Sequence, residues 1–245
     1  MIIDCHGHYT TAPIELEQWR QKQLAAVNDP SQRVTEADLK ISDDQLRESL
    51  EASQLKLQRE RGSDLTFFSP RASTMGHHQG NEQTSLQWAE VSNNLIHRIC
   101  NLYPSNFAPV CMLPQSPGVP PGNSIPELER CINQLGFIGV NVNPDPAGGY
   151  WTDPPLTDKW WYPLYEKIVE LDVPAMVHVT QSINPNFHFT GAHYMAAEES
   201  GAAENRDQGV EIGSCVHAGS GAGGGNWRRG STGSPLCCIG ARFRI

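Results

Sequence analysis

The chain begins with the stretch MIIDCHGHYT, residues 1–10. Its apolar start predicts a β-strand that ends in the sequence His6-Gly7-His8. Alternate residues of a strand point to the same face, so we expect the two imidazole rings to face one point. Two neutral imidazoles suit Zn²⁺ or a similar divalent ion, with Asp4 beside them as a supporting group. The alternative is a turn that carries two polar residues.

Strand and helix patterns then alternate along the chain. This order is typical of a parallel α/β fold, either a TIM-like (β/α)₈ barrel or a doubly wound open sheet. The open sheet usually carries a glycine-rich phosphate loop after its first strand. CHGHYT takes that place here and lacks the glycine pattern, which favours the barrel. The predicted strands are residues 1–6, 65–70, 108–114, 137–144 and 174–180.

Helix signals lie between the strands. Residues 42–62 have a helical pattern that begins at the cap Ser42 and ends at Gly62. A second helix is predicted to open with a capping box from Ser124 to Glu127. Residues 9–41 are polar and contain two prolines, so we interpret them as a long insertion after the first strand, part of a lid over the barrel mouth.

The composition excludes several classes of function. The 245 residues carry a formal net charge of −9, which does not indicate a surface for nucleic acid or anionic membrane. No run approaches the roughly 18 apolar residues of a membrane span, and the start lacks the basic region of a signal peptide. The seven cysteines form no Cys-x-x-Cys pair, which argues against a cysteine zinc site. We therefore expect a cytoplasmic protein.

A third histidine, His178, lies in the segment AMVHVT near the end of the fifth predicted strand. A single histidine in an apolar strand is more commonly a hydrogen-bonded core residue. In an eight-stranded barrel, however, the fifth strand lies opposite the first, and the catalytic face holds the carboxyl ends of the strands. His6, His8 and His178 would then form an open metal site. A carboxylate from a later strand would complete it and leave a position for water.

Other polar residues follow the predicted strands. Arg71 is a candidate carboxylate clamp, because its planar guanidinium binds carboxylates through two hydrogen bonds, although a local acid would be an equally good partner. His77 and His78 are interpreted as residues of a solvated loop. The remaining candidates for substrate binding, for which a turn or packing role is at least as good an explanation, are Ser73, Asn143, Asn186 and Tyr194, and Asn141 lies beside Asn143 on the fourth strand.

Several long stretches together resemble one known family. They are MIIDCHGHYT, FFSPRAS, VCMLPQSP, ELERCINQLGFIGVNVNPDPAGG, PPLTDKWWYPLYEK and VELDVPAMVHV. In this order they resemble the 4-oxalomesaconate hydratase family of the amidohydrolase superfamily, over residues 1–197. The same branch includes metal-dependent decarboxylases of the aminocarboxymuconate semialdehyde and dihydroxybenzoate types.

The resemblance implies a TIM-like barrel with one divalent metal, usually Zn²⁺, held by His6, His8 and His178. It implies a hydro-lyase that adds water to an unsaturated keto-polycarboxylate in the breakdown of aromatic compounds. Arg71 and its neighbours would hold the substrate carboxylates, and Tyr194 matches a tyrosine of the family's pocket. A decarboxylase or a hydrolase of the same superfamily is the alternative, and a homo-oligomer is compatible with either.

The resemblance ends near residue 197. The family continues into strands six to eight, with an acid–base histidine and a late glutamate near the metal, and neither is recognisable here, so the catalytic residues stay unassigned. Residues 198–245 instead form an irregular tail that holds half of the 22 glycines. We expect residues 1–197 to form an incomplete barrel of about five βα units. Our hypothesis is that the tail derives from a shifted reading frame or a retained intron, and a catalytically inactive remnant is therefore a further alternative.

Overall fold

The computed structural model of the chain describes residues 1–178, 180 and 182–185. These residues contain a sheet of five parallel strands in the order β1-β2-β3-β4-β5. The strands are β1 Ile3–Tyr9, β2 Leu65–Pro70, β3 Phe107–Met112, β4 Gly139–Val142 and β5 Ala175–Val177. They lie close to the five predicted ranges.

The strand order decides between the two architectures that the sequence left open. Each strand pairs with the next one along the chain, so the order never reverses across the described sheet. A doubly wound sheet reverses its order at a switch point near its middle. The described residues therefore form an open half-barrel of the TIM type, and the predicted fold class is confirmed.

Helices cover the outer face of this half-barrel. They are α1 Ile14–Ala25, α2 Asp43–Glu51, α3 Gln54–Arg61, α4 Glu82–Leu102, α5 Ile125–Glu129 and α6 Tyr162–Glu170. A π-helical turn, Arg130–Gln134, continues α5. Among the described residues, none of these helices combines the length and apolarity needed to cross a bilayer.

The main core lies between the helices and the outer face of the sheet. Phe68 of β2 and Val140 of β4 are buried there together with Leu46 and Leu50 of α2. Since successive strand residues point to opposite faces, the neighbours of these core residues face the barrel interior. Ser69, which follows Phe68, accordingly bonds to residues on that interior side.

Two helix predictions need correction. The pattern over residues 42–62 forms two helices, α2 and α3, although the cap at Ser42 and the end at Gly62 are confirmed. The capping box from Ser124 to Glu127 is wrong. The backbone of Ser124 is already helical, and its hydroxyl donates to the Pro114 carbonyl oxygen at 3.1 Å.

Residues 9–41 contain a helix that the sequence did not predict. α1 packs against α4, and Trp19 is buried with its ring stacked on Trp88 at a centroid distance of 6.0 Å. The buried residues of α1 also include Arg20 and Gln23. Because these two buried residues are polar, α1 lacks the apolar stripe that marks a helix in a sequence.

Candidate metal centre

Three histidines converge at the inner face of the half-barrel. His6 and His8 lie on β1, and His178 follows β5, where its backbone N–H donates to the Val142 carbonyl oxygen at 2.8 Å. The Nε2 atom of His178 lies 2.7 Å from Nε2 of His6 and 3.0 Å from Nε2 of His8. Among the described residues, this is the one group of three or more histidine, cysteine or acidic side chains with metal-ligand spacing.

The spacing fits the donor set of a divalent ion. A tetrahedral Zn²⁺ with Zn–N bonds of about 2.0–2.1 Å holds its ligand nitrogens about 3.3 Å apart. The distances from His178 to the other two rings approach this value. The three rings also pack edge to face, with interplanar angles of 69° to 82°, so the rings do not stack on one another.

The hydrogen bonds of His8 fix its tautomer. Its Nδ1 atom lies 2.7 Å from the Ser69 hydroxyl and 3.1 Å from the carbonyl oxygen of Pro70. A carbonyl oxygen only accepts, so Nδ1 of His8 carries the proton and donates it. The lone pair of Nε2 is therefore directed at the cluster, which is the arrangement that metal-bound histidines share.

Burial favours the neutral forms of His6 and His8. Burial and, to a smaller extent, the nearby rings of His178 and His6 together lower the pKa of His8 to about 3. Burial also lowers the pKa of His6, although the carboxylate of Asp4 opposes this effect. Neutral imidazoles hold free lone pairs, so this site favours a cation over added protons.

Asp4 contacts the pair through the backbone. Its Oδ1 atom accepts the backbone N–H of His6 at 3.1 Å. This agrees with the expected supporting group, because the contact fixes the chain beside His6 without adding a ligand atom. Among the described residues, no carboxylate joins the three histidines, so the fourth ligand expected from a later strand lies outside them or comes from solvent.

The predicted substrate residues have different surroundings. The side chain of Arg71 is exposed, and its Nε donates to the Ser73 hydroxyl at 2.8 Å. Arg71 also lines a cavity of about 130 Å³ between α1, α4 and the ends of β1 and β2. Neither observation tests the predicted role as a carboxylate clamp, which stays a prediction together with that of Ser73.

Asn143 lies in the turn after β4. Its side chain is fully buried, and Nδ2 donates to the carbonyl oxygen of Asp145 at 3.1 Å and to the hydroxyl of Thr180 at 3.2 Å. These contacts fit the turn role that the sequence left open, and they do not test substrate binding, which stays a prediction for Asn143. The other two candidates, Asn186 and Tyr194, lie outside the described residues, as do residues 198–245.

The interpretation of His77 as a solvated residue is wrong. His77 is only 3% exposed and lies against the backbone of Gln115. Burial and, after it, the positive charge of Arg20 together lower its pKa to about 3. His78 is half-buried and packs against Gly148, so the loop after β2 is folded onto the loop after β4.

Sequence reasoning missed Ser69. This residue pairs in register with His8 across β1 and β2, and its hydroxyl bonds to the Nδ1 atom of that histidine. The available signal is the single hydroxyl residue at the carboxyl end of the apolar run LTFFSP. Only the strand register, which a sequence does not give, places it next to the histidine pair.

Comparisons with known proteins agree with this fold and cluster. A family model described as amidohydrolase matches residues 3–206. A 2-keto-4-carboxy-3-hexenedioate hydratase from a Sphingobium species is 56% identical over 200 residues, which cover 81% of this chain and 58% of that protein. A crystal structure of 4-oxalomesaconate hydratase from Rhodopseudomonas palustris is 54% identical with a TM-score of 0.71, over 81% of this chain and 55% of that one.

More distant likenesses extend to decarboxylases. A γ-resorcylate decarboxylase from Rhizobium radiobacter is 30% identical over 95 residues, 38% of this chain and 28% of that protein. A 5-carboxyvanillate decarboxylase from Novosphingobium aromaticivorans, crystallised with manganese, shares the fold with a TM-score of 0.55 at 17% identity over 79% of this chain and 55% of that one. The chain spans little more than half the length of the two hydratases. Since the family model covers most of its residues, the chain belongs to the amidohydrolase family.

Proposed function

We propose that this chain carries the metal-binding half of a hydro-lyase that adds water to an unsaturated keto-polycarboxylate such as 4-oxalomesaconate. The observation that carries the proposal is the convergence of His6, His8 and His178 in a chain that is 54% to 56% identical to two hydratases. Those relatives act in the same reaction class, and the three histidines supply the neutral nitrogen donors that such chemistry needs.

The proposed metal is a single divalent ion, Zn²⁺, because three imidazoles and an open position form a common catalytic zinc site. Such an ion, when bound, supplies a Lewis acid for a water molecule or a carbonyl oxygen. The role of the protein is then to hold three neutral nitrogens in place and to keep Nδ1 of His8 protonated through its contacts with Ser69 and Pro70. The manganese in the decarboxylase structure makes Mn²⁺ the alternative ion.

Substrate binding is proposed for Arg71, Ser73, Asn143, Asn186 and Tyr194. The exposed guanidinium of Arg71 follows directly after β2, whose end carries Ser69 and Pro70 beside His8. Its positive charge attracts carboxylates, which supports a role in binding a polycarboxylate substrate. We further propose that the protein acts in the cytoplasm, on a small molecule, as a homo-oligomer.

A metal-dependent decarboxylase is the second candidate. It is favoured by the 30% identity over 95 residues to the γ-resorcylate decarboxylase. The histidine cluster does not separate the two reactions, because both need a divalent ion beside a carboxylated substrate. A chain that binds metal without turnover is the third candidate, since the chain spans 55% to 58% of the hydratases.

The test uses the purified chain loaded with Zn²⁺ or Mn²⁺. We expect about one equivalent of metal, and water addition to 4-oxalomesaconate followed by loss of its ultraviolet absorbance. Release of CO₂ from 2,6-dihydroxybenzoate instead would support the decarboxylase. Metal binding with neither reaction would support the third candidate.

The matched variants separate the site from the scaffold. His6→Ala combined with His8→Ala removes two proposed ligands, and we expect at least a hundredfold loss of metal affinity. His97→Ala removes a half-buried histidine that bonds to the Leu135 carbonyl oxygen, away from the cluster, and should leave the affinity unchanged. Equal metal content in both variants would contradict the proposed site.

A further inference from the structure

The hydroxyl of Ser69 lies between His8 and the side chain of Asn141. Oγ of Ser69 is 2.7 Å from Nδ1 of His8 and 3.1 Å from Nδ2 of Asn141. Ser69 and His8 are register partners on neighbouring strands, whereas Asn141 lies on β4, two strands away from β2. Two successive side-chain contacts therefore connect Asn141 on β4 to the proposed metal ligand His8 on β1.

The contacts around Ser69 determine which atoms donate and which accept a proton. Nδ1 of His8 carries a proton because it also contacts the Pro70 carbonyl oxygen, and the amide nitrogen of Asn141 can only donate. Oγ of Ser69 thus accepts two hydrogen bonds, which fill both of its lone pairs. Its own proton is left for the backbone, and the Gly7 carbonyl oxygen accepts it at 3.2 Å.

The rest of the Asn141 side chain has no structural role that explains the amide. The residue is 2% exposed, and its Nδ2 also lies 3.3 Å from the sulfur of Met112. Its Oδ1 atom is buried and accepts no hydrogen bond from the described residues. A buried carbonyl oxygen without a partner costs stability, and leucine has the same branched arrangement of side-chain heavy atoms without that cost. The amide must therefore serve something other than packing.

We propose that Asn141 is a positioning residue for the proposed metal ligand His8 and acts through Ser69. By donating to one lone pair of the hydroxyl, the amide holds Ser69 in the rotamer that accepts the proton of Nδ1. The imidazole is then held with its Nε2 lone pair at the cluster before metal arrives. The inference rests on the proposed metal site and adds a residue that neither touches the ion nor contacts a ligand atom.

The test is a double-mutant cycle on metal affinity. Zn²⁺ affinity is measured by competition with a chromophoric chelator for the original chain, Ser69→Ala, Asn141→Leu and the double variant. Partners that orient a metal-bound histidine typically contribute about 10- to 100-fold to affinity. We expect about a tenfold loss for Ser69→Ala and about a threefold loss for Asn141→Leu, with less than a twofold further loss from Asn141→Leu once Ser69 is alanine.

A loss from Asn141→Leu that is equal in both backgrounds, or absent in the original chain, would overturn the proposal. Gln58→Leu is the matched control, because it removes a comparably buried amide that bonds to Thr66 and Asn106 and does not contact Ser69. We expect it to leave Zn²⁺ affinity unchanged, and an equal loss there would identify a general effect of sheet packing.

A second measurement does not depend on metal. The ¹⁵N chemical shifts of the His8 ring in the metal-free chain report which nitrogen is protonated. We expect Nδ1 to be protonated in the original chain, and Asn141→Leu to shift population toward the Nε2-protonated form. Unchanged shifts would count against the proposal even where metal binding holds. Failure of the proposed metal site would appear differently, as equal affinity after loss of His6 and His8.

Discussion

The half-barrel buries different kinds of side chain in its helix-facing layer and at the carboxyl end of its sheet. In the layer, Phe68, Cys111 and Val140 are at most 1% exposed and pack against apolar helix residues. At the carboxyl end, polar groups are buried instead, and atoms without a hydrogen-bond partner among the described residues concentrate there. They include His78 Nδ1, Ser116 Oγ, Asn141 Oδ1, Trp151 Nε1 and Asp153 Oδ2.

This difference separates stability from binding. Apolar burial contributes free energy to folding, whereas buried polar groups without partners reduce it. Natural proteins retain such groups mainly where a ligand or a reaction needs them. We therefore expect substitutions in the layer to change unfolding most and substitutions at the carboxyl end to change metal binding most.

Phe68 and Ser69 test this directly, because they are neighbours on opposite faces of β2. Phe68→Ala removes a fully buried ring stacked on Phe107 at a centroid distance of 4.4 Å, and we expect a loss of about 3–5 kcal/mol in the free energy of unfolding. Ser69→Ala should lower it by only about 1 kcal/mol while weakening metal binding. Urea denaturation measures the first effect and chelator competition the second.

The control for this pair is Phe68→Leu, which retains most of the buried volume and should cost less than half as much as Phe68→Ala. If Ser69→Ala unfolded the chain as readily as Phe68→Ala, the division between the two faces would be refuted.

Added metal tests the carboxyl end of the sheet through its effect on stability. A ligand that binds only the folded chain raises its stability by about 2.7 kcal/mol at a free concentration of 100 times Kd. We expect Zn²⁺ to raise the urea midpoint of the original chain, and to do nothing for a variant with His6, His8 and His178 all replaced by alanine. An equal rise in both proteins would place the bound metal elsewhere.

The dependence of stability on pH tests the burial of His77 in the loop after β2. The unfolded chain protonates its histidines near pH 6.5, whereas His77 in the folded chain has a pKa of about 3. Between these values the unfolded state binds more protons, so stability falls as the pH falls. For His77 alone, we expect a loss of about 2 kcal/mol between pH 7.5 and pH 5.0.

His77→Leu should remove this part of the pH dependence, as measured by urea midpoints at the two pH values. A smaller dependence remains in the variant, because burial also lowers the pKa of His6 and of His8. An unchanged difference between pH 7.5 and pH 5.0 would mean that His77 is solvated, as the sequence first indicated.

The histidine cluster was accessible from sequence because it depends on strand periodicity. His6 and His8 are two residues apart on β1, and His178 directly follows β5, the strand that lies opposite the first in an eight-stranded barrel, so alternation and topology predict that the three meet. The strand positions were accessible for the same reason. These patterns do not give the register between neighbouring strands, and it is the register of β1 and β2 that places Ser69 beside His8.

Two other errors have a common physical cause. α1 and the loop after β2 are held by polar side chains buried through tertiary hydrogen bonds. Arg20, for example, reaches the carbonyl oxygens of Met75 and Gly76 at 3.4 and 3.5 Å, and Trp88 bonds to the carbonyl oxygen of Thr74. A polar residue in a sequence indicates solvent, and its burial depends on partners far away along the chain. His77 is buried as well, against the backbone of Gln115, and its neighbours along the chain do not indicate this contact.

The smallest expected effect concerns a helix end in the apolar layer. Ser42 caps α2 with a reciprocal pair of bonds. Its hydroxyl accepts the backbone N–H of Gln45 at 3.2 Å, and its own N–H donates to the Gln45 side chain at 2.8 Å. Loss of such a cap costs about 1 kcal/mol. Ser42→Ala should lower the free energy of unfolding by that amount, and Ser42→Asp, which retains an acceptor at the helix start, should restore most of it.

The effect is small because Leu46 and Leu50, both fully buried, anchor α2 whether or not its end is capped. A loss comparable to that of Phe68→Ala would mean that local hydrogen bonds, rather than apolar packing, hold the layer together.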